Sequence, residues 1–257
     1  MNGFLLIDKP KGVTSSNCVY QLRKLLGIKK IGHCGTLDPL ATGLLPICIG
    51  EATKFSSFMS NLDKTYEVGI RFGIATDTGD IEGEVISKTN NNFDEIKLKN
   101  ILQTFVGPQT QIPPMYSALK QKGKPLYWWA RKGVFLLRKE RNIIIHNIDL
   151  ISFKNYQLNI KVSCTKGTYI RSLAESIGEA LMTKATVISL RRLSIGNTES
   201  NQMVLMPKSK INDISSSVLP SDFLLKSLPK VILIKEDVKK VRNGQSIDYN
   251  AQLEKKG

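Results

Sequence analysis

The stretch IGHCGTLDPLATGLLPICIGEATK, from Ile31 to Lys54, decides how the rest of the sequence is interpreted. Its carboxylate Asp38 lies among glycines, small residues and aliphatic side chains. Asp38 is also the only acidic residue between Asp8 and Glu51 in a very basic chain. A lone acid in a segment punctuated by glycine and proline indicates either a functional carboxylate or one that forms a turn.

The residues around Asp38 restrict its backbone. Gly32, Gly35 and Gly43 let the chain bend and let a bulky ligand approach closely. Pro39 disfavours helical geometry at the residue before it. The pattern predicts a loop that holds a carboxylate on a stiff, non-helical turn, which suits a nucleophile or a general base. The alternative is structural, because Asp-Pro commonly starts a turn that the aspartate caps.

The charge balance favours a polyanionic partner. The 257-residue chain carries 37 Lys and Arg against 22 Asp and Glu, a formal net charge of +15. Nucleic acid is the first candidate for such a partner, and a merely solvated basic surface is the alternative. The length suits one large domain, or one domain with a small appendage.

Several classes of protein are disfavoured by what the sequence lacks. The four cysteines form no CxxC pair, and with only two histidines a zinc site is not expected. There is no GxxxxGKS/T phosphate loop, HExxH motif or GxSxG motif. The N-terminal apolar run is too short for a signal peptide, and no run approaches a membrane span. We therefore expect a soluble, monomeric, cytoplasmic protein with reduced thiols.

Hydrophobic periodicity and turn residues predict a mixture of strands and helices. In chain order we expect a strand ending at Pro10, a helix capped by Ser15 or Ser16 and closed by Gly27, a loop over 31–50, a short helix over 51–59, a strand over 64–72, a helix over 94–107, irregular structure over 108–125, a short helix over 126–133, paired strands over 141–153 and 157–164, a helix over 168–182, a strand over 185–197, and a strand, short helix and turn after 231. No regular βαβ cadence appears, so the predicted class is α+β and not a Rossmann fold.

The segment SCTKGTYIRS, Ser163 to Ser172, is a second candidate for chemistry. It spans the expected end of a strand and start of a helix, a junction that would present Tyr169 and Arg171 at a cleft edge. An arginine beside a buried carboxylate keeps it ionised and orients it by a bidentate hydrogen bond. The alternative is an ordinary surface arginine.

The segment from Lys120 to Arg141 is strongly basic, with eight Lys or Arg and one acid. Tyr127, Trp128 and Trp129 lie within it. Basic groups interleaved with aromatic rings suit phosphate contacts combined with stacking on bases or sugars. The alternative, which we expect for at least one tryptophan, is that the rings pack in the core beneath a solvated basic rim.

Two further residues of the Asp38 segment, His33 and Cys34, are candidates for a functional role. His33 could stack on or hydrogen-bond to a nucleotide, although a lone histidine is often only structural. Cys34 is a poor candidate for a nucleophile, because no second histidine is in sequence context to activate it.

These segments together resemble the bacterial tRNA pseudouridine-55 synthases, the TruB family. GHCGTLDPLATGLLPICIGEATK resembles the family's catalytic-aspartate loop, and GFLLIDKPKGVTSSNCV its N-terminal strand and loop. DKTYEVGIRFGIATDTGDIEGEV resembles its tyrosine-bearing strand, and IPPMYSALKQKGKPLYWWARKG the segment after its mobile insertion. CTKGTYIRSLAESIGEAL and LRRLSIGN resemble its later motifs. The resemblance runs in order from about Gly3 to Asn197.

The resemblance implies a fold and a reaction. The fold would be a mixed, mostly antiparallel central sheet with a catalytic cleft and flanking helices. The reaction would convert the uridine at position 55, in the T-loop of tRNA, to pseudouridine without a metal or cofactor. The target base must leave the stack to meet the carboxylate of Asp38. That carboxylate would act at the sugar C1′ or add to C6 of the uracil, and the sequence leaves both open.

The resemblance also implies roles for five further positions. Tyr66 would stack on the flipped base and could take a proton, and Arg171 would pair with the aspartate. Tyr169 would orient the substrate, Leu190 would form the apolar wall of the uracil pocket, and His33 would contact the opened T-loop.

The sequence departs from the family pattern in two places. Cys34 and Thr36 stand where Thr or Ser and Ala are expected, which are small changes in volume. Only the beginning of a C-terminal PUA domain, a small β-rich RNA-binding module, is matched. We expect a catalytic domain over 1–205, with an RNA-contacting insertion at about 107–140, and a linker with a truncated PUA-like tail over 206–257.

Two other classes of function were considered. A non-catalytic tRNA-binding or chaperone protein could use the same basic surface, and it would bind tRNA without making pseudouridine. An enzyme on small nucleotides would act on free uridine monophosphate.

Overall fold

The protein has an α+β architecture, as expected. The computed structural model describes residues 1–206, 214–223 and 231–247. The strands are β1 Gly3–Lys9, β2 Ile31–His33, β3 Thr42–Ile49, β4 Lys64–Phe72, β5 Ile74–Thr76, β6 Val85–Lys88, β7 Gly107–Gln111, β8 Lys120–Gln121, β9 Lys124–Pro125, β10 Arg141–Lys154, β11 Gln157–Cys164, β12 Ala185–Ile195, β13 Thr198–Glu199 and β14 Val204–Leu205. The α-helices are α1 Ser15–Leu26, α2 Ser56–Ser60, α3 Glu95–Thr104, α4 Leu126–Ala130, α5 Ile170–Ala180 and α6 Lys235–Arg242, with 3-10 turns at Gly50–Phe55 and Ser200–Gln202.

One mixed, mostly antiparallel sheet forms the centre of the protein. Its strands follow the order β14-β1-β3-β12-β4-β11-β10-β7, with β2 paired to β3 and β13 paired to β12. The β1–β14 and β3–β12 pairs are parallel, and the others are antiparallel. The β5–β6 and β8–β9 pairs form two small separate hairpins.

Helix α1 lies against this sheet, and its two ends have clear chemical causes. The side chain of Thr14 accepts a hydrogen bond from the main-chain N–H of Asn17 (3.1 Å), so Thr14 is the N-cap. The prediction of Ser15 or Ser16 was therefore wrong by one or two residues. Gly27 ends the helix in the left-handed conformation, as predicted.

Helices α3 and α5 cover the sheet beside α1. Asp94 caps α3 by accepting a hydrogen bond from the N–H of Lys97 (2.8 Å). The buried face of α5 carries Ile170, Leu173 and Ile177, and it joins the same apolar cluster as the inward residues of β4, β11 and β12. The spacing of apolar residues thus predicted both helices and the buried face of α5, whereas in α3 Leu98 and Leu102 are buried and Ile96 is exposed.

The strands β1 and β3 are buried on both faces. Leu5 and Ile7 enter the main core, whereas Phe4 and Leu6 enter a second cluster on the other face. This double burial explains why the expected loop over 31–50 was wrong in part. Its first three residues form β2, and its aliphatic second half forms β3, which pairs with β2 and with all seven residues of β1.

The predicted irregular segment 108–125 was also wrong in part. Residues Gly107–Gln111 form β7, which pairs with Arg141–Ile145 at the edge of the sheet. Pro108 is tolerated there because an edge strand can leave one side of its backbone unpaired. The predicted paired strands β10 and β11 and the short helix α4 are present.

The chain after β14 contacts the sheet edge again. Leu219 and Phe4 exchange two main-chain hydrogen bonds (2.8 and 2.7 Å). In residues 231–247 the structure has helix α6 and no strand, so the strand expected after 231 is wrong and the short helix is present. The rest of the proposed PUA-like tail, 248–257, lies outside the described residues. No helix within the described ranges is long and apolar enough to cross a membrane.

The β3–β12 contact predicts a steep cost for a small substitution. Gly43 has φ +96°, and an added Cβ would lie 2.3 Å from the carbonyl oxygen of Arg192. Gly43→Ala should lower the free energy of unfolding by about 3 kcal/mol or more, from backbone strain plus overpacking. Gly12→Ala is the matched control, because Gly12 also has positive φ but open space around it, and should cost about 1 kcal/mol. Denaturant unfolding measures both, and equal losses would contradict the steric argument.

Candidate active site

A buried serine, Ser15, fixes the residue before Asp38 by two hydrogen bonds to its main chain. The hydroxyl of Ser15 donates to the carbonyl of Leu37 (3.0 Å) and accepts from the N–H of the same residue (2.9 Å). The N–H of Ala41 donates to the carbonyl of Asp38 (3.1 Å), which closes the turn. The carboxylate is therefore displayed on a bend with little freedom, as the Asp-Pro pattern predicted.

A buried lysine fixes the other side of the turn. The Nζ of Lys9 donates to the carbonyls of Pro10 (2.9 Å), Val13 (2.6 Å) and Pro39 (3.3 Å). The side chain of Lys9 is fully buried, and burial lowers its pKa. The N–H of Gly12 also donates to the carbonyl of Pro39 (2.8 Å). Sequence analysis missed Lys9, although a lysine closing an apolar strand before a proline was the available signal.

The structure brings Asp38 and Arg171 together. The Nε of Arg171 lies 2.9 Å from Oδ2 of Asp38, and the side chains are 5% and 34% exposed respectively. The other guanidinium nitrogens donate to the carbonyls of Thr78 (2.7 Å) and Tyr116 (2.7 Å). Arg171 is thus buried and held on three sides, while the carboxylate that it orients can still be reached.

A second carboxylate, that of Asp80, lies close to Arg171. Asp80 is buried, and its Oδ2 lies 3.8 Å from Nη1 of Arg171. Its Oδ1 accepts from the hydroxyl of Thr78 (2.9 Å) and the N–H of Glu82 (3.1 Å). Sequence analysis missed Asp80, because a TDTGD turn by itself is an unremarkable polar loop.

Burial and the neighbouring charge of Arg171 shift the pKa of Asp38 in opposite directions. Burial raises the pKa of Asp38 above its ordinary value, the guanidinium of Arg171 acts to lower it, and the charge of Asp80 adds to the rise. The carboxylate therefore holds a proton more readily than a free aspartate, yet an adjacent cation favours its ionised form.

Two predicted site residues lie side by side on the central strands. Tyr66 of β4 pairs with Arg192 of β12, and Val68 pairs with Leu190 two residues along, so Tyr66 and Leu190 face the same side of the sheet. Both are buried. Burial raises the pKa of Tyr66, and the charge of Asp38 adds to this effect.

Arg192 is a second buried arginine that sequence analysis did not identify. Its Nε donates to the carbonyl of Leu44 (2.7 Å), and Nη2 donates to the carbonyl of Gly35 (3.0 Å). Among the described residues no carboxylate lies within 4.0 Å of it. Its uncompensated positive charge acts to lower the pKa of both Tyr66 and His33.

Tyr169 begins helix α5 and is tied to the edge strand β7. Its N–H donates to the side-chain oxygen of Gln111 (2.7 Å), and the amide nitrogen of Gln111 donates back to the Tyr169 carbonyl (3.0 Å). Burial raises the pKa of Tyr169, and the charge of Asp38 contributes to the rise. Tyr169 also directly precedes Ile170 and Arg171 at the start of α5, and Arg171 pairs with Asp38.

His33 lies at the end of β2 with an unused ring nitrogen. Its Nδ1 is buried and has no hydrogen-bond partner. Burial and then the charge of Arg192 lower the pKa of His33, so the neutral imidazole is favoured near pH 7. The neighbouring Cys34 is buried and its pKa is raised by a contact with Cys48, which disfavours a nucleophilic thiolate. In residues 1–206, 214–223 and 231–247 no group of three or more His, Cys, Asp or Glu is placed to hold a metal.

In the basic segment 120–141, one tryptophan lies beside cationic side chains and the other packs against apolar residues. Trp128 is half-buried beneath two ammonium groups, with Nζ of Lys124 at 5.7 Å and Nζ of Lys132 at 4.0 Å from the ring centroid. Trp129 instead packs against a small apolar cluster and donates from Nε1 to the carbonyl of Gln121 (3.2 Å). Trp128 is therefore the candidate for stacking, and Trp129 supports the local fold.

Comparisons with known proteins show which proteins this chain resembles in sequence and in fold. A family model described as TruB family pseudouridylate synthase (N terminal domain) matches residues 23–170. A tRNA pseudouridine synthase B from Chromobacterium violaceum is 43% identical over 258 residues, covering 99% of this chain and 84% of the relative. A protein of the same name from Blochmanniella pennsylvanica is 47% identical over 204 residues, covering 79% and 78%. A crystal structure of a Cbf5-Nop10-Gar1 complex contains a chain that matches with a TM-score of 0.73 at 25% identity, covering 94% of this chain and 67% of that one.

The fold and the matches to named relatives define the class as an RNA-modifying isomerase, a pseudouridylate synthase. Within that class the chain belongs to the TruB family. The resemblance noted in the separate sequence motifs is thereby confirmed over nearly the whole chain.

The charge arrangement predicts how the carboxylate titrates. Asp80→Asn removes a negative charge that raises the pKa of Asp38, so the mutant Asp38 should titrate at lower pH than in the wild type. Carboxyl ¹³C chemical shifts measured against pH report this value directly. Asp77→Asn is the matched control, because Asp77 lies exposed in the same loop and is absent from the charges that act on Asp38. An unchanged or raised pKa in Asp80→Asn would contradict the assigned geometry.

Proposed function

We propose that this enzyme converts uridine 55 in the T-loop of tRNA to pseudouridine, with Asp38 as the catalytic carboxylate. The observation that carries the proposal is the 2.9 Å pair between a reachable carboxylate and a buried guanidinium. The tRNA substrate is supported by the names of relatives that align over most of this chain. The net charge of +15 suits an RNA partner.

The reaction conserves every atom and needs no cofactor. The bond from N1 of uracil to C1′ of the ribose breaks, the uracil rotates, and a bond from C5 to C1′ forms while the C5 proton is lost and N1 gains one. Asp38 assists this exchange either by attack at C1′ or by addition to C6. In both cases the target uridine leaves the helical stack to meet the carboxylate.

The residues around Asp38 suit both steps of the reaction, the breaking of the N1–C1′ bond and the forming of the C5–C1′ bond. Arg171 keeps the carboxylate ionised and aimed, because its guanidinium is itself fixed by two main-chain carbonyls. Tyr66 stacks on the flipped base and is placed to exchange a proton, and Leu190 forms the apolar wall beside it. Tyr169 orients the ribose and base from the start of α5.

His33 is assigned to the opened T-loop. Its Nδ1 is without a partner although it is buried, and such a group costs free energy unless a ligand satisfies it. A nucleotide that enters beside Asp38 supplies the missing hydrogen-bond partner.

The wider RNA surface is assigned to the insertion at about 107–140. Its cation-flanked Trp128 and exposed lysines suit phosphate contacts and stacking on an unpaired base. We assign catalysis to 1–205, and a linker with a truncated PUA-like module to 206–257. The enzyme is proposed to act as a monomer on the T-arm in the cytoplasm.

Asp38→Asn tests the assignment of the catalytic group. The amide keeps the shape of the side chain but lacks its negative charge, so pseudouridine formation should fall by at least about a thousandfold. Binding of tRNA should stay within about threefold, because one carboxylate charge changes little in a large phosphate interface. The measurement is mass-spectrometric mapping of pseudouridine in an unmodified tRNA transcript, paired with filter binding.

Asp63→Asn is the control for Asp38→Asn, since Asp63 is an exposed aspartate whose carboxylate is hydrogen-bonded to His146 (2.8 Å). It should leave turnover within about twofold. Wild-type protein that binds tRNA but leaves every uridine unmodified would overturn the enzyme assignment. Modification at a uridine other than 55 would overturn only the assigned position.

Trp128→Ala tests the stacking surface. Loss of one base–aromatic stack should weaken tRNA binding by about fivefold to a hundredfold, since such a stack contributes about 1–3 kcal/mol. Turnover of bound tRNA should change much less, because the ring contacts neither Asp38 nor Arg171. Trp129→Ala is the matched control and should lower the melting temperature instead, since that indole is hydrogen-bonded within the fold. Unchanged affinity in Trp128→Ala would exclude a stacking role.

A further inference from the structure

Two of the four cysteines meet in the protein interior. The sulfur atoms of Cys34 and Cys48 lie 2.8 Å apart, and both side chains are fully buried. Cys34 directly follows β2 and Cys48 lies in β3. The other two, Cys18 and Cys164, are also buried and free, and no sulfur atom contacts them in the part of the chain that the structure describes.

The sheet register produces this contact. The β2–β3 ladder pairs His33 with Ile47, and the N–H of Cys34 continues it by donating to the carbonyl of Pro46 (2.9 Å). Cys48 is two residues from Pro46 on β3, so it is the diagonal neighbour of Cys34 on the same face. Both thiols enter the second apolar cluster, which holds them in place.

We propose that Cys34 and Cys48 form an oxidisable pair, which a small-molecule disulfide such as oxidised glutathione converts into an intramolecular disulfide. One cysteine thiolate attacks a sulfur of oxidised glutathione and releases one glutathione. The second cysteine thiolate attacks the protein sulfur of the mixed disulfide and releases the other glutathione. The protein loses two hydrogen atoms in total, and two glutathione thiols are formed.

The disulfide would close a covalent ring around the Asp38 turn. Cys34 and Cys48 flank the turn in sequence, so the chain between them includes Asp38 and Pro39. Bond formation brings the sulfurs from 2.8 Å to about 2.0 Å, a movement of less than about 1 Å. The ring restricts the unfolded chain, and this stabilises the folded protein.

The oxidant reaches the pair through local opening of β2. This strand is short and is held to β3 by three register pairs and the single Cys34 N–H bond. Such a segment opens at a lower free energy than the whole protein. Thiol–disulfide exchange needs a thiolate, which forms once the pair is hydrated, so oxidation is slow and is paced by this opening.

The test is to incubate the folded, full-length protein with oxidised glutathione, block the remaining thiols by alkylation in denaturant, and map peptides without reduction. The expected product is one cross-link between Cys34 and Cys48, with Cys18 and Cys164 alkylated. The same cross-link should form in the Cys18→Ala/Cys164→Ala double variant. Recovery of alkylated Cys34 and Cys48, or a cross-link that forms only in denaturant, would overturn the proposal.

A second measurement tests the consequence for the fold. The oxidised wild type should melt at higher temperature than the reduced protein, should return to the lower value on treatment with excess reduced glutathione, and should keep its pseudouridine-forming rate within about twofold. Cys34→Ala should show no oxidant-dependent change in melting temperature, whereas Cys18→Ala, the matched control, should show the wild-type change. An oxidised form with unchanged or lower melting temperature would overturn the stabilising role of the ring.

Discussion

The ion pair between Asp38 and Arg171 is the constraint on which the rest of the site depends. Its two members are treated differently by the fold, since the guanidinium is 5% exposed and the carboxylate 34% exposed. A cation buried in this way is costly unless its donors are satisfied. The carbonyls of Thr78 and Tyr116 satisfy two nitrogens, which leaves Nε for the carboxylate. The direction of the anion is therefore set by main-chain carbonyls that hold the guanidinium in place.

Buried cations recur around the turn, and main-chain oxygen satisfies most of their donors. Lys9 donates to three carbonyls, and Arg192 donates to two. A carboxylate partner would neutralise each charge, whereas carbonyl dipoles leave the positive potential in place. The environment of Asp38 is thus electropositive without competing anions close by, apart from Asp80. A polyanionic substrate entering such a region meets a field that favours it, and the ring of Tyr66 lies within that field.

Sequence patterns predicted the helices, five of the fourteen described strands (β1, β4, β10, β11 and β12) and the meeting of Asp38 with Arg171, because each of these rests on local periodicity or on motifs of the TruB resemblance. The patterns failed where tertiary burial overrode local composition. Thr42–Ile49 forms a strand because it pairs with β1 and because the main and second apolar clusters bury its two faces, and its glycine and proline conceal this. Lys9 and Arg192 were missed for a related reason. The carbonyls that these side chains bind come from distant parts of the chain or from irregular loops, and beyond the proline that follows Lys9 no local pattern marks either residue as buried.

The carbonyl of Tyr116 that accepts from Arg171 lies within the segment 107–140. The arginine that aims the carboxylate is therefore joined by one hydrogen bond to the region assigned to gripping RNA. A nucleic acid that displaces this region would remove the Tyr116 carbonyl as an acceptor for the guanidinium. A nucleic acid that leaves the region in place would leave all three guanidinium nitrogens with their partners. The selectivity of such an enzyme would then be expressed partly in how fast it turns over, since a poorly fitting RNA would reach a misaligned carboxylate even when it binds tightly.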